Sequence, residues 1–236
     1  RWAGGVEHFP YMIEEFSKLP KADDHTTINR RIHKLDVEFQ LPKDKNICVA
    51  VDKSGMKFEN SGEYRARMYG KKRKYLAVKL AANPVTGDLL ECDVSVEGVG
   101  LSEPEIAEWD MRTLMHRGYT IQKFWGDGAF DTHDLFKFLE EFGIESAIKI
   151  RKTAVFIGDN SLRDRELLMY KKLGYKKWAR KRKYGKRWVG TEGIFSAVKR
   201  KSGEQTRSHK TINALEKARR KFWAYTEMRN YAKARV

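Results

Sequence analysis

The stretch NICVAVDKSGMK, residues 46–57, carries an apolar run of Ile47, Cys48, Val49, Ala50 and Val51 that meets a carboxylate, Asp52. Five consecutive apolar residues, two of them valines, read as a buried strand; an acid at the end of such a strand lies on the rim of a sheet, where α/β folds usually hold their ligands. Two readings of Asp52 are open on this stretch alone. It is either a chemical group on that rim or a turn-initiating residue ahead of Ser54 and Gly55.

Working outward, residues 75–82 and 89–96 read as two further strands, and Asn83, Pro84, Gly87 and Asp88 between them supply a hairpin turn, so the first three strands form an antiparallel meander. In the third strand Leu90, Cys92, Val94 and Val96 alternate with Glu91, Asp93 and Ser95. The alternation turns the acids outward and leaves Asp93 a lesser candidate metal ligand. Ser102, Glu103, Pro104 and Glu105 then open a helix that carries Ile106, Trp109, Leu114 and Met115 as far as Arg117 and Gly118. A fourth strand at 122–125 again ends on an acid, Asp127, between Gly126 and Gly128, glycines that let backbone or ligand approach it closely. A helix over about 132–142 returns the chain to a fifth strand at 145–150. Strand, crossover helix and parallel strand make a βαβ unit, and the sheet is therefore mixed.

Upstream, Phe9, Met12, Ile13 and Phe16 recur at helical spacing before Pro20, and a second helix capped by Asp23, Asp24 or a following Thr carries Ile28, Ile32 and Leu35. This helical segment, residues 1–45, is either a DNA reader or a pair of helices packed on the larger domain at 46–236. The opening on Arg1 instead of Met suggests that a natural N-terminal portion precedes it.

With 236 residues, 41% of them hydrophobic, the chain can bury a substantial core. No run approaches the ~18 apolar residues of a membrane span, and RWAGGVEHF lacks the pattern of a secretory signal. Cys48 and Cys92 fall inside strand-like runs and suit buried hydrophobes better than a disulfide or a zinc site. The 48 basic and 32 acidic residues give a net charge of +16. Residues 171–201 hold thirteen Lys and Arg against one acid, Glu192, and such clustering suits a phosphate backbone; a solvated face and anionic lipid are the alternatives.

Two acids at strand ends become a site when a third reaches them, and within the basic segment only Glu192 is available, in YGKRWVGTEGIFSAVK, residues 184–199. On a helix Glu192 and Lys199 share a face. The competing schemes are poorly supplied: no two histidines lie two residues apart, and no Arg-His-Arg constellation can be assembled around a tyrosine.

The order Asp52, Asp127, Glu192 resembles the DDE transposases of prokaryotic insertion sequences, over roughly residues 47–230. The most specific stretches are VAVDKSG at 49–55, WGDGAFDTHDLFKFLEEFGI at 125–144, and the third-acid region, where relatives read approximately Tyr-x2-Arg-x3-Glu-x6-Lys. Tyr184, Arg187, Glu192 and Lys199 answer to that pattern, with four residues instead of three between Arg187 and Glu192. On one ideal helix the extra residue turns Arg187 about 100° away.

The resemblance implies an RNase H-like α/β domain, a mixed five-stranded sheet flanked by helices, interrupted by a basic insertion at about 152–186. It implies Asp52, Asp127 and Glu192 as catalytic groups holding Mg²⁺ or Mn²⁺ as a pair of ions, which suits an all-oxygen donor set. Cleavage at transposon ends and transfer of a 3′-hydroxyl into target DNA would use that one site. Lys199 would contact DNA near the scissile phosphate, Tyr184 and Arg187 the terminal nucleotides, with Arg182 and Lys183 as further DNA contacts. Trp178 and Trp188, set among cations, are candidates for stacking on unpaired bases, with core or surface packing as the other use of either ring. A homodimer on DNA and a cytoplasmic, nucleoid-associated location complete the expectation. A metal-dependent nuclease without transposition and a transposase-derived DNA-binding protein without turnover are the rivals.

Overall fold

The computed structural model describes residues 24–35, 37–58, 68, 75–206, 208 and 210–234 of the chain. Cα packing divides it into two units, Arg1–Glu38 and Phe39–Val236. In the first, α1 (His25–Lys34) begins at Asp24, whose carboxylate accepts the backbone N–H of Thr26 at 2.7 Å and of Thr27 at 2.9 Å. An acid in that position satisfies two of the donors that every helix start leaves open. The helix expected around Phe9 to Phe16 and the basic run Lys71 to Lys74 lie outside the described residues.

The second unit is built on a mixed sheet of order β3-β2-β1-β4-β5. Its strands are β1 (Asn46–Phe58), β2 (Tyr75–Ala82), β3 (Leu89–Val96), β4 (Thr120–Gly126) and β5 (Glu145–Ile148). β1, β2 and β3 pair antiparallel, whereas β4 runs parallel to β1 and β5 parallel to β4. That is the RNase H-like arrangement. A sixth strand, β6 (Gln205–Thr206), adds to the expected five by pairing with Lys57 and Phe58 at the far end of β1.

One sequence reading is overturned at the centre: Asp52 does not end its strand. β1 runs on to Phe58 because β2 continues to pair with it, Ser54 opposite Val78 and Gly55 opposite Ala77, so the turn at Ser54–Gly55 does not form. What ends near Asp52 is the other neighbour, for the β4 pairing stops at Ala50 opposite Trp125. The rim lies along one edge of β1.

Strand alternation sorts the core into two faces. Val49, Val51 and Phe124 pack with α2 (Glu103–His116) and α3 (His133–Glu141) through Met111, Leu114, Phe136 and Leu139. On the other face Leu76, Val78 and Leu80 contribute to a cluster with α6 (Glu192–Ser202) and α7 (Thr211–Lys233), while Ala50, Trp125 and Ala147 cluster with Trp178 and Tyr184. Trp178 belongs to α4 (Leu162–Lys181), a helix kinked at Gly174 that forms much of the expected insertion. Among the described residues no helix is long and apolar enough to cross a membrane.

Two helices sit differently from their apolar pattern. α2 buries Met111 and Asp110 and leaves Trp109 68% exposed, because its inner face follows Ala107, Asp110, Met111 and Leu114. In α7 the inner face follows Ala214, Ala218, Phe222 and Thr226, which exposes Ile212 and Met228. Its basic residues are engaged: Arg219 lies over the Phe39 ring, Arg220 pairs with Glu216, and Lys221 donates to the carbonyls of Gly203 and Gln205.

Burial pushes the Asp110 carboxyl up to about 8, reinforced by Glu91 and Asp93 and opposed by Lys79. Since the folded value lies above the unfolded one, its stabilising contribution is complete below about pH 4 and lost as pH rises through about 8. Asp110→Asn should therefore match the wild type near pH 4 and exceed it increasingly up to about 8, by a few kcal/mol at most, roughly, at the plateau. Urea melts across that range measure the difference, and a constant gap between the two proteins would contradict the assignment.

Candidate functional site

Ala50 and Trp125 are register partners, so Asp52 and Asp127 each lie two residues further along adjacent parallel strands. Side chains two apart share a face, which directs both acids to the face of Trp178 and Tyr184. Asp127 caps the short 3-10 turn Gly128–Phe130 and accepts the Ala129 N–H at 2.7 Å. Of its flanking glycines, Gly126 is the one sterically required, since a Cβ there would sit 2.8 Å from the Phe130 ring; at Gly128 the nearest atom would be 3.6 Å away. The turn is also held by Arg151, whose guanidinium donates to the Gly128 and Ala129 carbonyls.

The third acid arrives through a break in the helical run. α5 (Lys186–Gly190) ends at Thr191, which keeps to the right-handed α region with a φ of −111°, wide of the helical value, and a ψ of −61°, and Glu192 opens α6. Two helices meet there instead of one running through, so the rotation expected of one ideal helix does not apply. Arg187 faces the site: its Nη1 lies 3.2 Å from Asp52 Oδ2 and its Nη2 3.5 Å from Glu192 Oε1. Thr191 Oγ1 also approaches Asp52 Oδ2 at 3.4 Å. Gly190 permits the junction, for a Cβ at that position would stand 2.9 Å from Pro84 Cα in the β2–β3 turn.

Burial raises the Asp52 carboxyl, with Asp127 and Glu192 adding to the rise; Arg187 and the Lys53 N–H oppose it. Arg187 thus pairs with two of the acids, Asp52 and Glu192, and Asp127 acts on Asp52 through its charge. Among the described residues no three His, Cys, Asp or Glu side chains stand at metal-chelating spacing.

Lys199, one helical face along from Glu192, donates from Nζ to Ser54 Oγ at 2.8 Å, which brings it to β1 beside Asp52. Tyr184 is buried, its ring 5.2 Å from that of Trp178, and its phenol is pushed up to about 12, chiefly by burial. Lys183 is exposed on a turn tied to β4 by Trp125 Nε1 donating to its carbonyl. Arg182 is instead held within the fold by Glu166 and Glu145. The two tryptophans separate: Trp178 is fully buried and cannot stack on a base, whereas Trp188 is 58% exposed. Asp93 stands apart, lining a cavity with Trp109 and Asp110.

A second cavity, of about 610 Å³, opens beside Asp127 and is lined by Lys149, Arg151, Lys152, Tyr184, Arg187 and Trp188 among others. Lys149, Arg151 and Lys152 had no place in the sequence reading, although they directly follow β5 and the strand-end logic used for the acids points to them equally. Thr191 carried no signal, because its part depends on the helix break.

The model of the family described as "Transposase DDE domain" matches residues 43–226. No curated protein matches the chain. With the family's span covering the sheet, the acids and the basic cavity, the chain belongs to the transposase DDE domain family, and a transposase role with DNA as partner follows from that membership.

Proposed function

We propose that this domain cuts DNA at transposon ends and joins the freed 3′-hydroxyl to target DNA, using Asp52, Asp127 and Glu192 as the ligands of divalent cations. The observation that supports the reading is Arg187, which pairs with both Asp52 and Glu192 and lines, together with Asp127, one basic cavity. Their donor set is entirely oxygen, which fits Mg²⁺ or Mn²⁺. When bound, such ions would supply Lewis-acid stabilisation of phosphate charge and ease deprotonation of an attacking water or 3′-hydroxyl.

The chain's own residues do the positioning. Lys199 supplies a cation beside Asp52 for the scissile phosphate, and Lys149 and Lys152 line the approach for neighbouring phosphates. Exposed Trp188 offers a stacking face at the cavity mouth for an unpaired terminal base. Tyr184 backs the cavity and supports Arg187, whose guanidinium carbon is 5.6 Å from its ring. Two copies, each engaging one end, would form the active assembly.

The test is incubation of a labelled duplex carrying the element's end with Mg²⁺, with Mn²⁺ and with chelator. Metal-dependent nicking followed by joined products is the expected result. Nicking without joining would favour a nuclease, and binding without nicking a DNA-binding module.

A further inference from the structure

Arg187 is held loosely by two of the site's carboxylates. Its guanidinium lies between Asp52 and Glu192 at 3.2 and 3.5 Å, longer than the ~2.7–2.9 Å of tight charge-assisted bonds. Its Nε is buried and has no hydrogen-bond partner, although the residue is only 8% exposed. A buried donor left unpaired is costly, so a state in which this side chain turns to a better acceptor lies close by. The acceptor is within reach, since Arg187 also lines the basic cavity next to Asp127. Arg182, by contrast, is secured by two carboxylates and has no second place to go.

We infer that Arg187 is an internal stand-in for the metal ions: in the DNA-free protein its guanidinium holds Asp52 and Glu192, and a DNA phosphate entering the cavity draws it away and frees both carboxylates. Guanidinium and divalent cation compete for the same oxygens, Asp52 Oδ2 and Glu192 Oε1. A bidentate guanidinium–phosphate pair satisfies the donors that the present arrangement leaves long or unmet. Metal affinity and DNA affinity are thereby coupled, and by linkage the coupling is reciprocal. Arg187 acts here as a positioning residue, through the carboxylates.

The inference rests on the carboxylate metal site proposed above, and Mn²⁺ binding read by electron paramagnetic resonance separates the two. Without DNA, Arg187→Gln should bind Mn²⁺ at least about tenfold more tightly than wild type, and Arg187→Lys, which reaches one carboxylate at a time, should fall between. A non-cleaved duplex should tighten Mn²⁺ binding by the wild type more than by Arg187→Gln. Asp52→Asn should weaken it in either background. Equal Mn²⁺ affinity of wild type, Arg187→Gln and Arg187→Lys, with Asp52 still required, would overturn the stand-in role and leave the metal site intact. Binding indifferent to Asp52 in every protein would overturn both. Should Arg187→Gln fail to fold, the Lys variant keeps a cation beside the carboxylates and decides the question alone.

Discussion

Asp127→Asn and Glu192→Gln should each lower DNA cleavage on the order of 10³-fold or more while leaving DNA binding within a few-fold of wild type. Each substitution is nearly isosteric and removes one negative charge and one oxygen ligand. The side chains differ in surroundings, and that makes the pair informative. Asp127 is fixed by its hydrogen bond to the Ala129 N–H, and Asn can accept the same bond, so the turn Gly128–Phe130 should persist. Glu192 is more exposed at the start of α6, with Arg187 as its charged neighbour. Binding is read by filter retention or anisotropy, and cleavage by product length on a gel. Full activity in either variant would remove that residue from the proposed site; loss of binding together with activity would point to a folding defect instead.

The limits of the sequence reading follow from what a linear pattern encodes. β2 and β3 were legible to the residue because alternating or continuous apolar runs fix where a strand enters the core. β1 was read short because its second half, DKSGMKF, is polar and holds a glycine; its extension depends on pairing with β2, which no local pattern states. Asp52 and Asp127 were singled out as acids at strand ends; Asp52 in fact lies inside β1, and what sets the two acids side by side is their shared two-residue offset from the Ala50–Trp125 pair. Arg187 was the harder case. Counting residues along an ideal helix turned it away from Glu192, whereas in the fold the junction of α5 and α6 at Thr191 leaves the two side chains 3.5 Å apart. α2 misled for a similar reason, since a helix face is chosen by what packs against it, and here the packing admitted Asp110 and excluded Trp109.

The two tryptophans of the basic segment show the same limit energetically, and replacing each by alanine should have opposite consequences. Trp178 and Trp188 both stand among lysines and arginines in the sequence. In the fold Trp178 fills the space between Tyr170, Tyr175 and Tyr184, and its Nε1 donates to Glu166. Trp178→Ala should cost about 3–5 kcal/mol of unfolding free energy, by lost burial and by the cavity it opens. The loss should reach the site as well, because Tyr184 rests on that ring and Arg187 on Tyr184. Trp188→Ala should change stability by no more than about 0.5 kcal/mol, as an exposed residue free of such packing. Its effect should fall on DNA, weakening binding of an end with an unpaired terminal base by about 1–3 kcal/mol while leaving a fully paired duplex nearly unaffected. Urea melts and paired binding titrations separate the two residues. A destabilised Trp188→Ala, or a Trp188→Ala that binds both ends as wild type does, would withdraw the stacking role and return that side chain to ordinary surface.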